Sequence, residues 1–505
     1  MTYLKEVSRK ECALEQQALS SSALSSPALS SSAPLAQLLS HLPENDLAVF
    51  GHAPVRSRPY PQWPIFDERD ILAVTQVVQS GQWGGAPFPG PQTAKFAEAF
   101  AEMQVNADHP RREEIKAVPM ANGSITLEVA LRAAQIGWGD EVIVPAYTFQ
   151  ATATAPIAAG AIPVIVDIDP DTYCISPTAI EAAITQKTRA IIPVHLGAQV
   201  ADMDAIMAIA QKHNLVVIED CAHAHGAQWN RQGVGTFGDF GSFSLQSSKI
   251  LTAGEGGVLL CKNQALADRA TSIINCGRLP QSKGEPEAIA VEVSSGVSPI
   301  DQLLRQFLQF SGQEPTFSLG TNYRMSEFQA AMGCVALERF EEQVCERAIT
   351  LDYLESQLSE VPGIRLLKQD SRHTKRSFYR YIFAINPDLF GATHKEVCLA
   401  LHAEGIPCTP GYTALHRCTL FQPTQSRLAV PNAYPEHFDY SQLSLPQSEK
   451  ACEKEAVWLD ESVFRAGQQG IDDVITALKK VQRSARILSA AKATFLSMVS
   501  AQGCM

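Results

Sequence analysis

The chain has 505 residues, of which 45% are hydrophobic and 19% are charged, values close to those of an average globular protein. They exclude collagen-like, coiled-coil and wholly disordered chains, and the length predicts about two or three domains. With 41 Lys and Arg against 53 Asp and Glu, the formal net charge is −12, so we expect no general affinity for nucleic acid or anionic membranes.

The first 54 residues predict a disordered tail rich in serine and alanine. Ala18–Ser32 consists of three copies of a five-residue unit, and no charged residue lies between Glu15 and Glu44. Such a stretch buries too little apolar surface to offset the entropy lost on ordering. No basic start followed by an apolar run is present, so the sequence does not predict a signal peptide.

Between residues 120 and 261, short apolar runs alternate with helical patterns, which predicts an α/β fold with a mostly parallel sheet covered on both faces. The predicted strands are Glu141–Pro145, Pro163–Asp167, Ala190–Val194, Leu215–Glu219, Ser242–Leu245 and Gly257–Cys261. The predicted helices between them are Ser124–Ala134, Ser176–Thr185 and Ala201–His213. The uncharged stretch 142–166 contains three prolines and is interpreted as strand, helix and strand rather than a membrane span.

A long helical pattern over Ser326–Leu358 is predicted to lead from a large domain, residues 55–340, into a smaller one, residues 341–482. The elements predicted for the smaller domain are a strand at Tyr379–Ile385 and helices at His394–Glu404, Ser448–Leu459 and Ile471–Gln482. Residues 279–318 lack periodicity and are predicted to form a long loop or insertion. Residues 483–505 are predicted to form a helical extension.

The 12 cysteines contain no Cys-x-x-Cys pair, which argues against a zinc ribbon or a thioredoxin-like redox site. Scattered single cysteines fit reduced thiols, so we expect a cytoplasmic protein without membrane partners. His223 and His225 are spaced as a pair of metal ligands in a strand would be, but no third ligand has a suitable spacing. We therefore predict no metal site.

An acid and a lysine are predicted to meet at one edge of the parallel sheet. Asp220 follows a buried strand, and Lys249 follows another short apolar strand just before a glycine-rich turn. Ligands of such sheets bind beyond the carboxyl ends of the strands. Pyridoxal phosphate chemistry needs this pair, because the lysine bonds to the cofactor aldehyde while the carboxylate keeps the pyridine nitrogen protonated.

The same cofactor needs a phosphate cradle and an aromatic face. Gly123 and Ser124 open a predicted helix, whose first N–H groups can bind an anion, and Ser244 can add a hydroxyl. Tyr147 and Phe149 follow a predicted strand, so either ring can lie near the cofactor. Each of these residues also has an ordinary structural interpretation, as a cap, turn or core residue.

Six motifs occur in the order typical of the DegT/StrS family, which the chain resembles over roughly residues 61–481. They are Asn-Gly-Ser (122–124), Gly-Asp-Glu-Val-Ile-Val-Pro-Ala-Tyr-Thr-Phe (139–149), Glu-Asp-Cys-Ala-His-Ala-His-Gly (219–226), Phe-Ser-Leu-Gln-Ser-Ser-Lys (243–249), Gly-Glu-Gly-Gly (254–257) and Gly-Thr-Asn-Tyr-Arg-Met (320–325). The resemblance implies a pyridoxal-phosphate-dependent transferase of fold type I. In that fold, a mostly parallel seven-stranded sheet forms the large domain and a smaller α+β domain follows it.

The resemblance implies that Lys249 bonds to the cofactor and that Asp220 is the partner of the cofactor's ring nitrogen. The resemblance further implies phosphate ligands at Gly123, Ser124 and Ser244, a stacking ring at Phe149, and a contact of His223 with the phenolic oxygen. Asn322 resembles a residue that reaches the phosphate of a neighbouring subunit, which implies a homodimer with shared active sites.

The implied activity is transfer of an amino group from glutamine or glutamate to a keto-sugar or ketocyclitol. The segments 246–257 and 457–459 most resemble the branch of scyllo-inosose aminotransferases and 3-amino-5-hydroxybenzoate synthases. Two alternatives stay open: a related sugar dehydratase, against which Lys249 argues because those enzymes carry histidine there, and a cofactor-binding regulatory protein without turnover.

Overall fold

The structure is a computed structural model that describes residues 46–85, 89–106, 109–278 and 319–489. Residues 1–45 of the predicted tail, the predicted insertion 279–318 and residues 490–505 of the predicted extension lie outside the described residues. Two larger sheets organise the described chain. No helix among the described residues has both the length and the apolar character needed to cross a bilayer.

Fourteen strands make up the sheets of the described residues. In chain order they are β1 Lys116–Met120, β2 Glu141–Pro145, β3 Ile162–Val166, β4 Thr188–Ile191, β5 Val216–Asp220, β6 Gln228–Trp229, β7 Gln232–Gly233, β8 Phe240–Ser244, β9 Gly257–Cys261, β10 Ile364–Leu366, β11 His373–Lys375, β12 Arg380–Ile385, β13 Cys408–Thr409 and β14 Ala456–Asp460. Strands β6, β7 and β11 form a small third sheet.

The large sheet has seven strands in the order β1-β9-β8-β5-β4-β2-β3. The four pairings from β8 to β3 are parallel, whereas β9 runs antiparallel to both of its neighbours. The prediction of a mostly parallel sheet is therefore confirmed. Strands β2 and β9 lie where they are predicted, and β4 begins two residues before its predicted start. Strand β1 is not among the predicted strands, because its run Lys-Ala-Val-Pro-Met is short and interrupted by proline.

Helices cover the sheets and connect their strands. The α-helices are Glu68–Ser80, Pro91–Gln104, Gly123–Ala133, Ala151–Ala159, Pro177–Ala183, Met203–His213, Gln264–Ile274, Glu327–Glu338, Phe340–Leu358, Pro387–Phe390, His394–Ala403, Ala429–Ala433, Pro446–Lys450, Ser462–Arg465 and Gly467–Arg483. Short 3₁₀ turns occur at Ala48–Phe50, Leu415–Arg417, Pro423–Ser426 and Pro435–Phe438, and a π-helical turn at Ala451–Glu455.

The single helix predicted over Ser326–Leu358 is wrong in one respect, because the structure divides it at Arg339. The backbone of Arg339 has φ −106° and ψ 0°, which ends one helix and begins the next. Its guanidinium binds Asp67 at 3.0 Å and Asp70 at 2.6 Å. The interruption therefore coincides with ionic contacts to the start of the helix Glu68–Ser80, of which the one to Asp70 is buried.

The second sheet is antiparallel, in the order β10-β12-β14-β13. The predicted strand Tyr379–Ile385 corresponds to β12, whereas the predicted helix Ser448–Leu459 is wrong beyond residue 455. There the chain enters β14, which pairs with β12 on one side and β13 on the other. Cross-strand pairing and burial of Val-Trp-Leu override the helical pattern that the preceding residues begin. The division of the chain at residue 340 stays a prediction.

The prediction of a disordered tail is wrong for its last part, residues 46–54, because these residues are ordered. The buried carboxylate of Glu404 accepts hydrogen bonds from the N–H groups of Ala48, at 2.8 Å, and Val55, at 3.0 Å. Lys480 binds the same carboxylate at 2.8 Å. These contacts hold the segment against the core of the second sheet, because a buried carboxylate needs donors for both of its oxygens.

Candidate active site

The direction of the strands brings distant parts of the chain to one edge of the large sheet. Strands β5 and β8 are parallel, so Asp220 and Ser244 end at the same edge. Strand β9 runs antiparallel to both β8 and β1, so β1 has the same direction as β8 and ends at the same edge. There Met120 and Ser244 both pair with Gly257. A cavity of about 780 Å³ opens there.

Lys249 reaches this cavity from the turn after β8. Its ammonium nitrogen lies 4.2 Å from the centre of the Tyr379 ring, over the ring face. Burial lowers the pKa of the lysine from 10.5 to about 8; the charge of Arg380 also lowers it, whereas the carboxylate of Asp220 raises it. The charged and nucleophilic forms of Lys249 are therefore balanced near pH 8, well below the pH at which an ordinary lysine becomes neutral.

Asp220 is buried at the end of β5 and lines the same cavity. Its carboxylate accepts hydrogen bonds from the hydroxyl of Thr152, at 2.9 Å, and the N–H of Ala222, at 3.2 Å. Burial raises the pKa of Asp220, and both hydrogen bonds and the positive charge of Lys249 lower it. A cation bound against this carboxylate would therefore be stabilised by it.

His223 is held in one tautomer. The N–H of Gly197 donates to Nδ1 at 3.3 Å, so the ring proton lies on Nε2, which is 3.3 Å from the hydroxyl of Tyr412. Burial lowers the pKa of His223 well below its usual value, and the nearby Lys249 and Arg380 lower it further. The side chain is a neutral hydrogen-bond donor at the cavity wall.

The helix Gly123–Ala133 begins at the cavity. Asn122 caps it by accepting a hydrogen bond from the N–H of Ile125 at 3.0 Å, and the first N–H groups of a helix have no partner within it. A Cβ on Gly123 would lie 2.5 Å from that of Ser244, so only glycine allows this approach. Gly123, Ser124 and Ser244 thus all line the cavity, with Gly123 against Ser244, and their role as phosphate ligands stays a prediction.

The two candidate aromatic residues after β2 lie in different environments. Phe149 lines the cavity, with 51% of its surface exposed, beside the ring of Tyr412. Tyr147 instead is buried in the core, where its hydroxyl accepts a hydrogen bond from the indole N–H of Trp458 at 2.8 Å. His225 is also fully buried and packs against aromatic rings rather than facing the cavity.

Asn322, like Tyr147, does not line the cavity. Its side chain is exposed, and its Oδ1 accepts a hydrogen bond from the N–H of Arg324 at 3.4 Å. Asn322 therefore lies at the surface of the single chain, where its backbone forms an isolated β-bridge with that of Asn275.

Several residues of the cavity are not among the predicted site residues. They are Thr148, Gln246, Ser248, Glu255, Tyr379 and Tyr412 on the wall, and Thr152 behind Asp220. Ser248 adjoins Lys249 in the chain and was within reach of sequence reasoning. Tyr379 and Tyr412 were not, because they come from the second sheet and the turn after β13, whose position only the folded chain establishes.

A buried group of His195, Glu219 and Cys221 lies just behind the site, with candidate ligand atoms within 4.8 Å of one another. The carboxylate of Glu219 accepts hydrogen bonds from the N–H groups of Gly235, Phe237 and Gly238. His195 accepts from the N–H of Ala201 and has its other ring nitrogen 3.2 Å from Glu219. Because the protein already satisfies these atoms, the group gives no support for a metal site.

The chain is similar to known aminotransferases in sequence and to a solved synthase in structure. The sequence profile of the DegT/DnrJ/EryC1/StrS aminotransferase family matches residues 64–460. The crystal structure of 3-amino-5-hydroxybenzoic acid (AHBA) synthase is similar, with a TM-score of 0.68 and 27% identity, over 85% of this chain and 100% of that one.

Two curated relatives are similar over most of their length. A Streptoalloteichus tenebrarius protein provisionally named L-glutamine:3-amino-2,3-dideoxy-scyllo-inosose aminotransferase is 38% identical over 87% of this chain and 98% of its own. The L-glutamine:scyllo-inosose aminotransferase of Streptomyces griseus is 35% identical over 88% of this chain and 100% of its own.

The lowered pKa of Lys249 predicts an unusual pH dependence of its reactivity. In the cofactor-free protein, competitive labelling with trace acetic anhydride should acetylate Lys249 with a midpoint near pH 8, because the amine is neutral above its pKa. Peptide mass spectrometry would measure the labelled fraction, with exposed lysines in the same sample as the control. A midpoint at about pH 10.4, the pKa of an ordinary lysine, would contradict the prediction.

Proposed function

The chain belongs to the DegT/DnrJ/EryC1/StrS aminotransferase family, and we propose that it transfers the amino group of L-glutamine to a ketocyclitol of the scyllo-inosose type, with pyridoxal phosphate as cofactor. The observation that carries the proposal is that Lys249 and Asp220 line one cavity at the carboxyl edge of the large sheet. The names of the relatives supply both glutamine and the inosose.

The residues present fit this cofactor. The helix N-terminus at Gly123, with Ser124 and Ser244, offers N–H and hydroxyl donors to a phosphate, and the close approach of Gly123 to Ser244 leaves no room for a side chain there. Asp220 is a buried carboxylate whose charged form a protonated ring nitrogen would favour. Phe149 offers an exposed ring face in the same cavity.

Pyridoxal phosphate supplies an aldehyde that bonds to amines and a ring that accepts electrons when a C–H bond of the bonded amine breaks. Lys249 would hold the cofactor, and its free Nζ would take the proton from Cα of the donor, because burial keeps the pKa of this lysine near 8. Asp220 would keep the ring nitrogen protonated. His223, neutral and protonated on Nε2, can donate a hydrogen bond to an oxygen on the cofactor.

The charge of the cavity wall supports a small uncharged acceptor. Among the described residues that line the cavity, Lys249 is the single Lys or Arg. A keto-sugar nucleotide carries a diphosphate, which proteins commonly bind with arginine or lysine. A cyclitol needs only hydrogen-bonding groups, and Gln246, Ser248 and Tyr412 provide them on the wall. These observations favour the ketocyclitol over the nucleotide.

We also propose that the chain forms a homodimer in which Asn322 reaches the partner's site. The helix Glu68–Ser80 and its flanks expose an apolar surface that includes Phe66, Ile71, Leu72 and Trp83. A monomer rarely leaves so many large apolar side chains together in water. Trp83 packs on Phe328 and its carbonyl accepts the N–H of Glu327, so this surface adjoins the segment that carries Asn322.

A reducing, cytosolic location is supported by the cysteines. The ten cysteines within the described residues all carry free thiols. Proteins of oxidising compartments commonly pair their cysteines, whereas cytosolic proteins keep them reduced.

Cofactor attachment and donor use can be tested on one sample by absorbance spectroscopy. Purified protein with pyridoxal phosphate should show the visible band of a lysine-bound cofactor, and L-glutamine should replace it with the pyridoxamine band. Lys249→Ala should lack the band, because its side chain has no amine to bond. Lys212→Ala, at an exposed lysine, is the matched control and should behave like the wild type. A bound cofactor that no amino donor changes would favour the dehydratase or regulatory alternative.

The acceptor can be identified from the second half of the cycle. Protein converted by glutamine and freed of excess donor should regain the visible band when scyllo-inosose or 3-amino-2,3-dideoxy-scyllo-inosose, the ketocyclitols in the names of the two relatives, is added. A nucleotide-linked keto-sugar should restore the band more slowly, by about tenfold or more. Its diphosphate finds no arginine and no second lysine on the described cavity wall, and a tenfold difference in rate corresponds to about 1.4 kcal/mol. Faster recovery with the nucleotide sugar would reverse the assignment of the acceptor.

The dimer can be tested by sedimentation velocity. Leu72→Glu places a charge in the exposed apolar surface and should shift the protein from dimer to monomer, because burying an unpaired carboxylate is costly. Leu389→Glu changes a leucine that is exposed even more, in the short helix Pro387–Phe390, and should leave the dimer intact. A wild-type protein that sediments as a monomer would refute the shared site.

A further inference from the structure

Tyr379 joins the second sheet to the cavity. It immediately precedes β12, and its N–H donates a hydrogen bond to the carbonyl oxygen of His223 at 3.1 Å. Its ring lines the cavity between two other groups: the ammonium of Lys249, 4.2 Å from the ring centre, and the imidazole of His223, 4.8 Å away. The backbone contact thus fixes the ring beside the lysine.

The orientation of the Tyr379 hydroxyl follows from its neighbours. The N–H of Ser248 donates to Oε1 of Gln246 at 2.9 Å, which identifies that atom as an acceptor. The Ser248 hydroxyl also donates to Oε1, at 2.6 Å, so its own oxygen must accept from the Tyr379 hydroxyl at 2.9 Å. The phenol proton therefore points along the cavity wall, and Tyr379 meets Lys249 through its ring face alone.

Arg380 contacts the Tyr379 ring as well. Its guanidinium lies 4.7 Å from the ring centre, donates to the Tyr379 hydroxyl oxygen at 3.3 Å and is itself paired with Asp460 on β14. Two cations, Arg380 and Lys249, therefore lie over this ring, and its backbone contact, Ser248 and Arg380 together hold it beside the lysine.

We propose that Tyr379 is a positioning residue that holds the free amine of Lys249 against its ring face whenever the lysine is not bonded to the cofactor. An ammonium on the face of an aromatic ring is attracted by the ring quadrupole, more strongly where water is scarce. The amine therefore stays at the cavity wall instead of sampling the rotamers open to a long flexible side chain. This role rests on the proposed function, because it matters only if Lys249 carries the cofactor.

Other groups also act on the charge of Lys249. Asp220 approaches from the end of β5, His223 and His225 lie in the turn that follows, Arg380 comes from β12, and Glu255 lines the cavity. A test of Tyr379 must leave these groups in place. Truncating the ring would admit water and alter all of their effects together, so the ring has to be changed electronically at constant shape.

Fluorination of the ring provides such a change. With phenylalanine at position 379 as the parent, mono-, di- and trifluorinated phenylalanine weaken the negative face of the ring stepwise while keeping its size. The labelling midpoint of Lys249 in the cofactor-free protein should fall with each fluorine, by roughly half a unit to one unit over the series, because the charged amine loses stabilisation. Acetic anhydride labelling and peptide mass spectrometry measure this without any catalytic turnover.

The matched control is the same series at Tyr412. That ring also lines the cavity, but no cation lies over it among the residues that the structure describes, so the Lys249 midpoint should stay constant. A midpoint that does not change along the series at position 379, or that changes equally at both positions, would overturn the proposal.

The unfluorinated variant Tyr379→Phe tests the hydroxyl separately. It keeps the ring face, so the Lys249 midpoint should remain near that of the wild type. A large shift would show that the hydroxyl, and not the face, determines the state of the amine. If instead the wild-type protein binds no pyridoxal phosphate, the proposed function fails while the labelling series still decides how Tyr379 acts on Lys249.

Discussion

The parallel pairing of β5 with β8 is the constraint on which the site depends. It ends both strands at one edge of the sheet, so that Asp220 and Ser244 face the same cavity. The antiparallel strand β9 then brings Gly257 beside both Ser244 and Met120, and the helix that follows β1 starts there. Backbone hydrogen bonds alone thus gather an acid, a hydroxyl and a helix N-terminus from three separate parts of the chain.

Burial acts in opposite directions on the two ionisable groups that this edge brings together. It lowers the pKa of Lys249 and raises that of Asp220, because each group loses the water that stabilises its charge. Each group also partly restores the charge of the other. The free site therefore holds a lysine that readily becomes a nucleophile and a carboxylate that gains from a nearby cation, which is the pair of properties that pyridoxal phosphate needs.

The second sheet completes the wall through close contacts with the first. Trp458 on β14 donates a hydrogen bond to Tyr147, which follows β2. Gly411 has φ +78°, and a Cβ there would lie 2.2 Å from the Trp458 ring. Only glycine therefore allows the backbone to lie this close to Trp458, and the next residue, Tyr412, lines the cavity. The turn after β13 and the start of β12 therefore contribute residues to a site whose chemistry lies on the large sheet.

Local residue patterns were enough to predict the sheet class and most strands between residues 141 and 261. They also predicted the places of Lys249, Asp220, Gly123, Ser124 and Ser244, because each lies near the end of a strand or the start of a helix. Three features became known from the folded chain alone: Tyr147 faces the core while Phe149 faces the cavity, residues 456–460 form a strand, and Tyr379 lies under the lysine. Those outcomes depend on contacts between segments far apart in the chain, and local residue patterns carry no information about such contacts.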